Sequence, residues 1–173
     1  MIRKTATALG LVLCFGTSLP AHANEKNVQY GPAERLARTF EDICLRTLPY
    51  FLGATERLKA LGFELTQVGD QDMFELWNER LSMGGHIHLP QGDREPACGF
   101  LMEKVKRQDV GPLVEAILVD WLGKKPERWD TGDPDTVGWQ VPAAGSVLHI
   151  AIGTSLSDDP AQGASVTVEV RKR

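Results

Sequence analysis

The chain is poor in several things whose absence narrows what it can be. Lysine and arginine, 19 together, are outnumbered by 23 aspartates and glutamates, for a net charge of −4. That balance argues against a nucleic-acid partner and against a basic face for anionic lipid. Beyond the first two dozen residues no apolar run approaches the roughly 20 residues needed to span a bilayer. None of Ser82, Ser146, Ser155, Ser157 and Ser165 sits in a G-x-S-x-G or S-x-x-K context, so the local signatures of a serine nucleophile are missing. The glycine pair at 84–85 is too short for a phosphate-binding loop and lies inside a strand-like stretch, where it marks a bulge or a close backbone approach. "WDTGDPDT" offers Asp130, Asp133 and Asp135, with Asp158 and Asp159 in a later loop. The run lacks the D-x-D-x-D-G order and the distal glutamate of an EF-hand, and Asp beside Gly and Pro is ordinary turn chemistry. Glu75 and Glu79 could pair as carboxylates, but no apolar pocket around them would raise a pKa.

What is present begins with a leader. Arg3 and Lys4 precede the apolar "ATALGLVLCFG", then "SLP" and Ala21-His22-Ala23. This is the pattern of a signal peptide over residues 1–23, with cleavage after Ala23. A lipidated Cys14 is disfavoured because Leu13 is too bulky for the position before it. The expected product is a single domain, residues 24–173, in the periplasm or secreted. Losing two basic residues takes its charge from −4 to −6, and the length suffices to bury a core.

Of three cysteines, processing leaves Cys44 and Cys98. A pair in an oxidising compartment reads as one disulfide; a redox pair would more often be spaced C-x-x-C.

Periodicity then divides the chain. From Pro32, the residues Leu36, Phe40, Ile43, Cys44 and Thr47 share one face of a helix that Pro49 ends. A shorter helix in "GATERLKALG" points Leu58 and Leu61 inward and closes at Gly62. "FELTQV", "MFELW", "LSMGGHIHL" and "ACGFLMEKV" alternate as strands. Asp109 caps a third helix whose stripe is Val110, Leu113, Val114, Ile117, Leu118 and Trp121, closed by Gly123. A long polar connection follows, then strands "VGWQVP", "SVLHIAIG" and "ASVTVEVRK". Gly62, Trp77 and His88 recur in order and spacing as Gly123, Trp139 and His149, which suggests a duplicated α-β-β-β unit. The expected class is α+β: an antiparallel sheet with helices on one face, a two-layer sandwich.

The stretch "FEDICLRTLPYFLGATERLKALGF" resembles the opening of small exported proteobacterial proteins, most of them uncharacterised. They share a helix with F-x-x-x-C, a proline, a second helix ending in Gly-Phe or Gly-Leu, and a later strand cysteine. Phe40, Cys44, Pro49, Gly62, Phe63 and Cys98 match this outline, over the first half of the exported chain. The resemblance implies a secreted domain with a disulfide. It transfers no catalytic residue.

Two candidate sites remain. His86, His88 and His149 all alternate with apolar residues on strands. Were their strands neighbours, three imidazoles could meet on the outer face, two from one strand and one from another. That ligand spacing resembles the zinc site of animal-type carbonic anhydrases, with a position open for water. The competing expectation is a solvated strand face, because no acidic residue nearby in sequence would orient an imidazole. Trp129, in the polar connection, is either packed under its own loop or a partner contact. The function expected is a non-catalytic binding or inhibitory module that uses the 124–138 segment and the exposed sheet face. The alternative is a metal-binding protein or metal-dependent hydrolase using the three histidines. No cofactor is implied, and the partner is an unidentified protein or small molecule.

Overall fold

Pro32 supplies a fixed φ and no N–H at the one place a helix needs neither freedom nor that donor, and helix α1 (Pro32–Ile43) starts on it. The computed structural model in which it is seen describes residues 30–69, 72–91, 94–154 and 163–172. The leader with its Ala23 junction, together with Ser155, Ser157, Asp158 and Asp159, lies outside the described residues. Leu36, Phe40, Ile43 and Cys44, all on one side of α1, have no exposed surface. Burying a side chain of the Leu, Ile or Phe class contributes about 1.5–3 kcal/mol.

A single 3₁₀ turn, Leu45–Thr47, carries the chain out of α1 to Phe51, which is buried. Helix α2 (Ala54–Ala60) follows, with Leu58 fully buried. Four strands come next: β1 (Glu64–Gln67), β2 (Met73–Asn78), β3 (Met83–His88) and β4 (Ala97–Glu103). Helix α3 (Arg107–Leu122) then leads into β5 (Glu127–Trp129), β6 (Val137–Ala143), β7 (Ser146–Thr154) and β8 (Gly163–Lys172).

All eight strands form one antiparallel sheet in the order β1-β2-β3-β4-β8-β7-β6-β5. The order is the same from either edge: two four-stranded meanders meet along β4 and β8, where Phe100 pairs with Val166. The expected duplication is thus matched in topology, but the unit is a helix followed by four strands. The additional strand is β5, which falls within the polar connection; Glu-Arg-Trp is too short and too charged to show a period. Trp77 and Trp139 are not equivalent positions, since Trp77 lies on the open face and Trp139 is fully buried.

Strand alternation selects the face that packs. Ile87, Cys98, Phe100, Val166, Val168, Leu148 and Ile150 point to the helices and are buried. Helices α1 and α3 lie against each other and over β4, β7 and β8, while α2 lies against β1. The expected α+β class with helices on one face is what the chain adopts. Cys44, just past α1, is bonded to Cys98 on β4, so the disulfide ties the helix layer to the sheet.

Three local expectations are corrected. Asp109 is not the cap of α3: the helix begins at Arg107, and Asp109 sits in its first turn, where a carboxylate suits the positive end of the helix dipole. Leu61 is exposed, because α2 ends at Ala60 and turns it outward; its carbonyl accepts instead from the buried Asn78 amide at 3.0 Å. Trp121 is 47 % exposed. It lies on the angular stripe of Val110, Val114 and Leu118, but on the last turn, beside Leu45 and Arg46 at the rim of the helix layer.

Candidate functional site

The face of the sheet turned away from the helices carries the residues singled out in the sequence. Antiparallel pairing aligns them in rows across the strands. One row runs His86, Gly99, Thr167, Ala151, Gly138, Trp129, and the next runs His88, Ala97, Glu169, His149, Gln140. In the first row the middle strands therefore present small side chains, with rings on either side of them; in the second Glu169 stands in the middle.

Three glycines of this face are overlain by neighbouring rings. A Cβ on Gly84 would lie 3.3 Å from the Trp77 ring, one on Gly99 3.1 Å from His86 and 2.6 Å from Thr167, and one on Gly138 2.8 Å from Trp129. Gly85 faces the opposite way, and a Cβ there would meet the Gly99 carbonyl at 2.3 Å. The glycine pair thus marks a close backbone approach; the β2–β3 and β3–β4 registers run through it without a bulge.

The three histidines share the open face without converging. His86 and His88 stand with ring centroids 5.2 Å apart on β3. His149 is on β7, three strand steps away through β4 and β8, or about 14 Å at the usual strand spacing. Among the described residues no group of three or more His, Cys, Asp or Glu is placed to hold a metal ion. The arrangement needed for the metal reading is therefore not formed, because β3 and β7 are not neighbours.

All three imidazoles have pKa values below the usual histidine range. Burial is the first cause in each case; His86 is further lowered by the charge of His88, His88 by Arg94 and His149 by Arg171. Glu169 opposes the shift in all three. This carboxylate is paired directly with His149 in the β7–β8 register. Local sequence could not reveal it, since it lies 20 residues from His149 and further from the other two.

Trp129 is on edge strand β5 and not in a loop. It is half-buried, resting on Gly138 with its ring centroid 4.3 Å from that of His149. The ring packs on its own sheet and keeps an exposed portion. Beyond it, Asp130 accepts from the Gly132 N–H at 2.9 Å, and Asp133 accepts from Asp135 N–H at 2.9 Å and from the Thr136 hydroxyl at 2.7 Å. These are turn-forming contacts, as expected for that run.

A second concavity, on the helix side, was not foreseen. It is a groove of about 750 Å³ between α3 and strands β5–β6, lined by Pro112, Glu115, Ala116 and Val119 of α3 and by Arg128 and Trp139. Arg128 lies over the Trp139 ring, 4.6 Å from its centroid, and is paired with Glu115. Lys125 reaches the same carboxylate at 3.1 Å. Lys125 first and then Arg128 hold Glu115 below the usual carboxylate range against its partial burial, with a smaller contribution from the Trp139 indole. That indole N–H is buried and, among the described residues, makes no contact with hydrogen-bond geometry. The available signal was the small-residue side of α3 (Gly111, Pro112, Ala116), opposite the apolar stripe.

No protein-family model matches this chain, and neither the curated proteins nor the solved structures contain a significant match.

Proposed function

We propose that this is an exported, disulfide-stapled binding domain without catalytic activity, which uses its open sheet face to hold a basic segment of a partner protein. The observation that carries the reading is charge on an uncovered face. By strand alternation, that side bears Glu64, Glu75, Glu103, Glu127 and Glu169 against the cations Arg171, which pairs with Glu169 at 2.9 Å, and Arg94, whose charge reaches His88. Trp77, 44 % exposed, and the half-buried Trp129 flank the small-residue centre. Tryptophan faces attract cationic side chains and supply contact area at low entropic cost. The Cys44–Cys98 bond and the absence, among the described residues, of a helix long and apolar enough to cross a membrane are compatible with export.

The test is calorimetric titration with a lysine- and arginine-rich dodecapeptide and with its glutamate counterpart, at low and high salt. The basic peptide should bind, weaken with salt, and lose affinity in Trp77→Ala and in the Glu75→Gln/Glu169→Gln pair. Equal binding of both peptides, or of neither, rules the reading out. For export, sequencing of the mature N-terminus should find Asn24 first; Met1 or a lipidated Cys14 would refute it.

A further inference from the structure

The helix side of the sheet is covered unevenly, although the strand order is the same from either edge. Towards β1, the segment after α1 and helix α2 fill the space, burying Phe51, Ala54 and Leu58. After α3, Gly123 turns the chain straight into β5 with no second helix. The groove described above occupies that side. It follows α3 from Arg107 to Asp120, about 20 Å at 1.5 Å per helical residue. Its volume lies within the roughly 300–1,000 Å³ typical of small-molecule sites.

Charge is ordered along the groove. Arg107 stands at the N-terminal end of α3, where the helix dipole is positive. It gives one N–H to the Pro134 carbonyl at 3.4 Å and, after the Thr136 hydroxyl and the Asp135 N–H, adds the smallest contribution to the lowered pKa of Asp133; an arginine has five donors, so others remain for a ligand. Midway, Glu115 is matched by both Lys125 and Arg128, so that trio is net positive. Asp120 stands at the far end, where the dipole is negative. Between the ends, the accessible walls are the short apolar side chains of Pro112, Ala116, Val119 and Val137.

We propose that this groove is a binding site for a linear amphipathic monocarboxylate. The carboxylate meets Arg107, and the aliphatic chain runs along Pro112, Ala116 and Val119. Asp120 fixes the direction and disfavours a second anionic group at the tail. The site is on the opposite side of the sheet from the surface proposed above, so either can fail without the other.

The experiment is calorimetric titration with dodecanoate below its micellar concentration, with dodecyltrimethylammonium as the cation of equal chain length. Dodecanoate should fill one saturable site, and the cation should not. Arg107→Gln should weaken dodecanoate at least about five-fold, the loss of a charge-assisted contact. Ala116→Trp, on an exposed helix position, should abolish binding by filling the wall. Val119→Glu, also exposed, should do the same by charge and serves if the first variant does not fold. The proposal is overturned if dodecanoate gives no saturable heat, if the cation binds as tightly, if Arg107→Gln binds like wild type, or if the folded wall variants do.

Discussion

His149 lies beneath Trp129, with ring centroids 4.3 Å apart and planes tilted by 39°. The two residues come from β7 and β5, two strand steps apart, and meet because Gly138 on the strand between them has no side chain to part them. Gln140 steadies the imidazole from the side, its amide nitrogen 3.2 Å from Nε2. An indole over an ionisable ring makes the pair a built-in reporter.

Emission from Trp129 should fall as the solution is acidified, because an imidazolium in contact quenches an indole more strongly than the neutral ring. Burial lowers the His149 pKa, so the midpoint should lie below the ordinary histidine value of about 6.5. The difference in fluorescence between wild type and His149→Gln isolates this pair from the other tryptophans. A midpoint above 6.5, or no difference between the two proteins, counts against the contact.

Folding stability should decline on mild acidification. All three described histidines titrate lower in the folded protein than free imidazole does. The unfolded chain therefore takes up protons near pH 6.5 that the folded chain does not yet bind. Stability is complete above that pH and is lost as pH falls through the interval below it. Urea midpoints measured from pH 7.5 to 5 should drop, and His86→Gln should flatten the curve. A midpoint that rises on acidification would contradict the burial of neutral imidazoles.

Gly138→Ala should cost about 1–3 kcal/mol, the usual range for overpacking. The new methyl group would meet the Thr131 methyl at 2.7 Å and the Trp129 ring at 2.8 Å, so the indole must leave its seat. Thermal denaturation reports the loss, and the pH-dependent quenching should disappear with it. An unchanged melting temperature would mean that Trp129 does not rest there.

Neither Cys44 nor Cys98 should be open to alkylation in the natively exported protein before reduction. The bridge closes a chain separation of 54 residues, worth about 4 kcal/mol in the chain-entropy account. The Cys44→Ala/Cys98→Ala variant should unfold at correspondingly lower denaturant. Two free thiols in unreduced material would show that the bridge does not form.

The parts legible in the sequence were those governed by short-range periodicity. Leu36, Phe40, Ile43 and Cys44 repeat with a helical period, and Val166, Val168 and Val170 with a strand period, and each set is buried as one face. Strand alternation likewise put His86, His88 and His149 on the open side. What alternation cannot give is the order of strands. Insertion of β4 and β8 between β3 and β7 separates His149 from the other two, through a β4–β8 pairing between residues far apart in the chain, while the β7–β8 pairing sets Glu169 beside it. Trp121 shows the complementary limit, since angle around a helix says nothing about whether a neighbour exists at that height. The groove is legible only as the small-residue side of α3, because the element that would cover it is missing after α3.

β8 is the last strand in chain order, yet it occupies the middle of the sheet, between β4 and β7. Its partner residues on β4 are 60–72 positions earlier, as in Ala97 with Glu169 and Glu103 with Gly163. Neither meander can complete its inner edge until that strand arrives, so the loop-closure entropy of the whole second half must be met before the central ladder forms. That ladder is non-local, and pairings of this kind form slowly. Until β8 docks, β4 and β7 each expose an unpaired edge, which is when an emerging copy is most open to association with another.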